Sequence, residues 1–151
     1  MRSVRRLSTA FAAGALGGAV NGIVVWGAGG LGLTTALGVQ IAPALTRELI
    51  YSKVVWGAIW GLLFLLPLWR RSVVVRGLIY SIGPTLVQLL LVFPLKADKG
   101  MLGLELGVLT PLFVLLFNAA WGITAALWVV AAAEPAGPMA SGVDPRSAPL
   151  D

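Results

Sequence analysis

Of the 151 residues, 58% are hydrophobic and only 11% charged, with a formal net charge of +5. An average soluble domain is roughly one quarter charged, and a water-soluble fold of this size needs a largely polar outer shell. That class is excluded, and lipid is the solvent this composition fits. Cys and His are both absent, which removes disulfides, thiol nucleophiles, imidazole bases and the usual zinc and haem ligands. No catalytic residue, metal or cofactor is therefore expected. The basic residues sit mostly at the ends of apolar runs, where anionic headgroups attract them. No segment outside those runs gathers them among aromatics as a nucleic-acid surface would, so no nucleic-acid partner is expected.

Leu7 to Thr46 carries no charge and is about twice as long as the ~20 residues one helical crossing needs. A first span is predicted at about 8–29, ending where Gly27, Gly29 and Gly30 lower the helical propensity. Residues 31–42 are apolar but short, and are expected to lie along the interface or to fold back. The opening Met1 to Leu7 has the basic character of an export signal. Apolar sequence continues well past Ala12 and Ala13, however, so the segment reads as a retained span.

The second span is predicted at about 47–69, with Tyr51 and a snorkelling Lys53 at the interface. The third, about 75–94, contains Pro84, which removes one backbone donor and should bend the helix near Tyr80 and Ser81. The fourth, about 111–131, opens with Thr110 as N-cap and Pro111 at the first helical position. These make residues 1–133 an all-α membrane domain, a bundle of four transmembrane helices. The tail 134–151, rich in Pro, Gly, Ser and Asp, has too little apolar surface to fold and is expected to be disordered.

Basic residues in short loops favour the side that holds Arg2, Arg5, Arg6, Arg70, Arg71 and Arg76 over the side that holds Arg47, Lys53, Lys96 and Lys99. Both termini are thus expected in the cytoplasm, with the protein in a bacterial inner membrane. Trp26 and Trp56 fall near the outer interface, Trp69 and Trp128 near the inner one, and Trp60 and Trp121 deeper, between helices.

Small residues mark the packing faces, because helices in lipid associate by close backbone contact and hydrogen bonding. Gly14, Gly18 and Gly22 form one stripe on the first span; Gly57 and Gly61 repeat the spacing on the second, and Gly122 serves the fourth. Packing within the chain is the first use for these stripes, and a homodimer seam or a larger membrane complex the second. At an offset of 65 residues the two halves pair Arg5 with Arg70, Arg6 with Arg71, Trp56 with Trp121 and Gly57 with Gly122. A duplicated two-helix hairpin explains this register, and the restricted alphabet of membrane sequences explains it equally.

Uncharged polar residues within the apolar runs are few. Asn21, Gln88 and Asn118 are the strongest, with Ser81, Thr85 and Thr124 as weaker donors, and the three amides are expected to face the bundle interior. They serve either as interhelical glue or as the lining of a polar path. No charged residue falls at mid-span, which argues against proton coupling through a buried carboxylate. Glu48 and Glu105 read as solvated interfacial charges, since exposed charges carry little energy.

The segments Trp26-Gly27-Ala28, Gln88-Leu89-Leu90-Leu91-Val92-Phe93-Pro94-Leu95 and Leu109-Thr110-Pro111-Leu112-Phe113 resemble the YagU-like bacterial inner-membrane proteins. The resemblance implies a multi-pass protein of unassigned activity and supplies no site residue. The first expectation for function is a structural or accessory helix-packing subunit with no enzymatic role. The alternative is a small transporter or channel lined by Asn21, Gln88 and Asn118, which requires those three side chains to converge on one cavity.

Overall fold

A computed structural model describes residues 2–68 and 71–133. Helix α1 (Arg2–Gly30) is followed by the single turn α2 (Leu33–Ala36), then by α3 (Arg47–Gly61) with a 3-10 extension Leu62–Leu65. Helix α4 (Val73–Val87) passes into wide π-helical turns at Gln88–Lys96; short 3-10 turns at Met101–Leu106 then lead into α5 (Thr110–Ala131). Four of these rods, Ser3–Gly30, Arg47–Leu65, Val73–Lys96 and Thr110–Ala131, are long and apolar enough to cross a membrane. The chain is an all-α membrane protein built as a four-helix bundle. Leu86, Leu90, Leu115, Leu116 and Leu127 stand exposed on its outer face, a surface suited to hydrocarbon.

The rods alternate in direction. α3 packs along α1, α4 packs along α5, and α1 and α5 meet in the middle. Both outer pairings depend on glycine. A Cβ on Gly14 would collide with the Gly57 carbonyl and lie 2.6 Å from the Gly61 Cα, while one on Gly77 would lie 2.6 Å from the Gly122 carbonyl oxygen. Gly18 faces the Lys53 backbone and Gly22 the Ile50 side chain, so the predicted stripe is used within the chain. Gly57 and Gly122, equivalent under the 65-residue offset, both occupy the tight point of a hairpin. Trp56 and Trp121 are equivalent by the same offset but differ, Trp56 being exposed and Trp121 buried.

Several boundaries differ from the sequence expectation. The second span stops at Leu65 rather than at 69, because Pro67 has no N–H and biases Leu66 toward extended backbone (φ −71°, ψ 137°). Trp69 and Arg70 lie outside the described residues, as does the tail 134–151. Thr110 is not the N-cap of α5: Leu109 takes that position, and Thr110 is the first helical residue, its buried hydroxyl without a partner. α4 runs unbroken past Pro84, and the irregular turns begin later, at Gln88.

Residues 31–42 fold back over the end of the bundle. Thr34 and Val39 are fully buried there, the Thr34 hydroxyl donates to the Ile41 carbonyl at 2.7 Å, and the Gln40 N–H donates to the Leu106 carbonyl at 2.7 Å. Val39 and Val25 close on Phe113 and Phe117 beneath this cap.

At the opposite end Tyr80 clamps the chain that joins α3 to α4. Its hydroxyl donates to the Leu66 carbonyl at 2.6 Å and accepts from the Leu68 N–H at 3.3 Å. Tyr80→Phe leaves the ring packing and removes both bonds. A loss of about 1 kcal/mol is expected, to be read from thermal unfolding in mild detergent; an unchanged midpoint would show that the clamp contributes nothing.

Candidate functional site: a lysine-rimmed cleft between α3 and α4

Glycine draws α3 onto α1 and α4 onto α5, and Gly17 lets α1 settle beneath Trp121. The fourth seam, between α3 and α4, has no such contact along most of its length. Gly83 of α4 approaches only the large side chains of Trp60 and Leu63. Above that point Trp56 and Trp60 on one wall, with Pro84, Gln88 and Leu91 on the other, bound a cavity of about 600 Å³. Such a volume is that of a small-molecule site.

Its inner wall carries the polar groups. Asn21 on α1, Gln88 at the start of the π-helical turns and Asn118 on α5 all line this one cavity. The Asn21 Nδ2 donates to the Phe117 carbonyl at 2.7 Å, and the Asn118 Nδ2 reaches the Gln88 Oε1 at 3.4 Å. The Asn21 Oδ1 is buried with no partner. An unsatisfied buried acceptor costs about 1–3 kcal/mol. Thr85 and Ser81 do not take part, because Thr85 donates to the Ser81 carbonyl and Ser81 to the Leu78 carbonyl, within their own helix.

The rim is basic. Lys53, half-buried on α3, and Lys96, exposed at the end of the π-helical turns, both line the cavity, and among the described residues no carboxylate does. Glu48 and Glu105 are exposed elsewhere. Among the described residues no three Asp or Glu side chains gather as a metal site. The lysines were legible in the sequence as interface markers only. Their signal was position, each lying beside a span end on the same side of the bundle.

The cleft is blind. Trp121 forms its floor, held by an Nε1–H bond to the Gly14 carbonyl at 3.1 Å. The indole meets Phe64 edge-on with centroids 6.1 Å apart, and Phe64 meets Tyr80 at 4.7 Å. Ala10, Ala13, Ala125 and Ala126 pack around this aromatic stack. Of the tryptophans assigned to deep positions, Trp121 lies between helices as expected, while Trp60 forms part of the cleft wall.

The described arrangement therefore brings together the three amides picked out by polarity, adds two lysines to them, and assigns Gly14, Gly22, Gly61 and Gly122 to packing, with Gly18 and Gly57 also edging the cavity. Comparison with protein-family models, with curated proteins and with solved structures gives no match to this chain, so the likeness to YagU-like proteins rests on the segments quoted above.

Proposed function

We propose that the protein is a small membrane transporter whose α3/α4 cleft takes up an amphipathic organic anion. The observation that carries this reading is the convergence of Asn21, Gln88 and Asn118, from three different helices, on one cavity. Asn21 and Asn118 bond across helices, to the Phe117 carbonyl and to Gln88, and each still lines this one cavity. The lysine rim supplies the sign of the charge, since among the described residues no carboxylate stands beside Lys53 or Lys96 in the cavity wall. Tryptophan and leucine walls suit the apolar body of the solute, and the amide row suits a hydroxyl or amide group on it. Its side, open between two helices toward the bilayer, admits a molecule that already partitions into lipid. Placement in an inner membrane with cytoplasmic termini belongs to the same proposal and follows from the arginine bias toward the end holding Arg5, Arg6 and Arg76.

Trp56, Trp60 and Trp121 line the cleft and give a direct readout. Titrating the full chain in neutral detergent with a brominated fatty acid is expected to quench tryptophan emission saturably, and the methyl ester of the same acid to quench far less. Lys53→Gln with Lys96→Gln should weaken the acid about tenfold or more, the scale expected for two charge-assisted contacts. In proteoliposomes the same fatty acid should exchange across the membrane faster than in protein-free vesicles. Quenching that is linear, and equal for acid and ester, would remove the reading. Recovery of a stoichiometric partner protein with no exchange would favour the accessory role instead.

A further inference from the structure

A second cavity, of about 630 Å³, opens at the other end of the bundle, where the start of α1, the 3-10 extension of α3, the start of α4 and the end of α5 meet. Arg5, Arg6 and Arg76 line it, and among the described residues no acidic side chain does. Arg76 is held in a fixed pose. Its Nη2 donates to the Phe64 carbonyl at 2.8 Å, and its guanidinium carbon lies 5.2 Å from the Phe64 ring centre and 5.6 Å from that of Tyr80. Stacking and one carbonyl bond orient the plane of the guanidinium, the preorganisation that suits arginine to carboxylate and phosphate oxygens.

Arg5 and Arg6 reach the same space from α1 and are exposed. Three cations on one cavity repel one another unless an anion lies between them. Positive charge for its own sake, as a topology signal, needs only exposed side chains in a loop; it does not need one of them fastened by three contacts at a cavity wall. Ser3 and Thr9 add hydroxyl groups to the lining, while Leu7, Leu65 and Val129 make its remainder apolar. Phosphate oxygens match the charged part and the upper methylenes of acyl chains match the rest.

We infer that this cavity is a phosphate-binding site, in which Arg76 supplies a guanidinium in a fixed pose and Arg5 and Arg6 close over the anion. The source is a phospholipid headgroup or a free phosphate, and two measurements separate them. The inference does not depend on what the cleft binds, since the two cavities share no lining residue.

The full chain is placed in nanodiscs of equal phosphatidylglycerol and phosphatidylcholine, then released for native mass spectrometry, and the retained lipids are counted. Preferential retention of phosphatidylglycerol is expected, falling about fivefold for each arginine removed in Arg76→Gln or in Arg5→Gln. Arg76→Lys, which keeps the charge and loses the stacked guanidinium plane, should fall between the wild type and Arg76→Gln. The control Arg47→Gln with Lys99→Gln, at the other end, should change nothing. Since Arg76 also bonds the main chain, Arg5→Gln with Arg6→Gln serves as the variant that leaves every hydrogen bond to Phe64 in place.

In a second arm the protein in neutral detergent is titrated calorimetrically with inorganic phosphate. Saturable heat that the arginine variants lose identifies free phosphate as a ligand. Lipid preference without such heat identifies the headgroup. If neither signal responds to Arg5, Arg6 or Arg76, the inference is wrong.

Discussion

Gly14→Val is expected to prevent α1 and α3 from docking, with a loss of folded bundle large enough to see as aggregation or as a collapsed thermal midpoint in detergent. Even a single Cβ at this position would meet the Gly57 carbonyl and lie 2.6 Å from the Gly61 Cα and 2.8 Å from its nitrogen, all of them backbone atoms that cannot swing aside. The facing glycines are equally committed: a Cβ on Gly57 would lie 2.8 Å from the Gly18 Cα. The helices must separate, and in lipid there is no water exclusion to hold them together once the close contact is lost. About 3 kcal/mol or more is expected, at the upper end of overpacking costs. Gly27→Ala is the matched control, since nothing lies within 4 Å of its added methyl; it should be neutral or stabilising by up to ~1 kcal/mol. A Gly14→Val protein that melts like the wild type would show that this seam does not form.

The second large effect is expected at Trp121. Trp121→Ala removes the indole that floors the cleft, its bond to the Gly14 carbonyl and its edge contact with Phe64. Truncating a buried tryptophan costs about 3–5 kcal/mol. Because Trp121 lines one cavity and Phe64 the other, the same change is expected to join the two. Proteoliposomes of this variant should leak small anions that the wild type retains. Trp121→Phe separates the two consequences: it keeps an aromatic floor and loses only the N–H donor, so it should stay sealed while losing about 1–3 kcal/mol. A sealed Trp121→Ala vesicle, with the protein folded, would mean that the floor is not the barrier.

The four rods were legible because each apolar run is bounded by residues that lipid excludes or that stop a helix. The glycine stripes were legible for the same kind of reason, since four-residue spacing places Gly14 and Gly18 on one face whatever that face meets. Polarity alone picked out Asn21, Gln88 and Asn118 as inward-facing. What they meet depends on the rotation and depth of three helices relative to one another, and no periodicity within a single helix encodes that. Lys53 and Lys96 illustrate the gap: each reads as an interfacial cation, and only the splay of α3 from α4 makes them the rim of one chamber. Arg76 was read as a topology charge although Tyr80 one turn later offered a stacking partner; the carbonyl that fixes it comes from Phe64, on another element. At Thr110 a local motif suggested a cap, and the turn at Gly107, whose N–H donates to the Leu104 carbonyl and whose carbonyl accepts from Thr110, took over the helix start.

Phe64 has a further consequence. Its carbonyl holds Arg76, its ring stacks on Tyr80 and Trp121, and it forms a wall of the arginine-lined cavity while backing the floor of the lysine-rimmed one. Any occupant that changes the pose of this one side chain from below changes the room available above it. Where an occupant of either compartment shifts this ring, thermodynamic reciprocity makes the change in affinity equal in both directions, so Phe64 is the side chain through which any coupling between the two ends would pass.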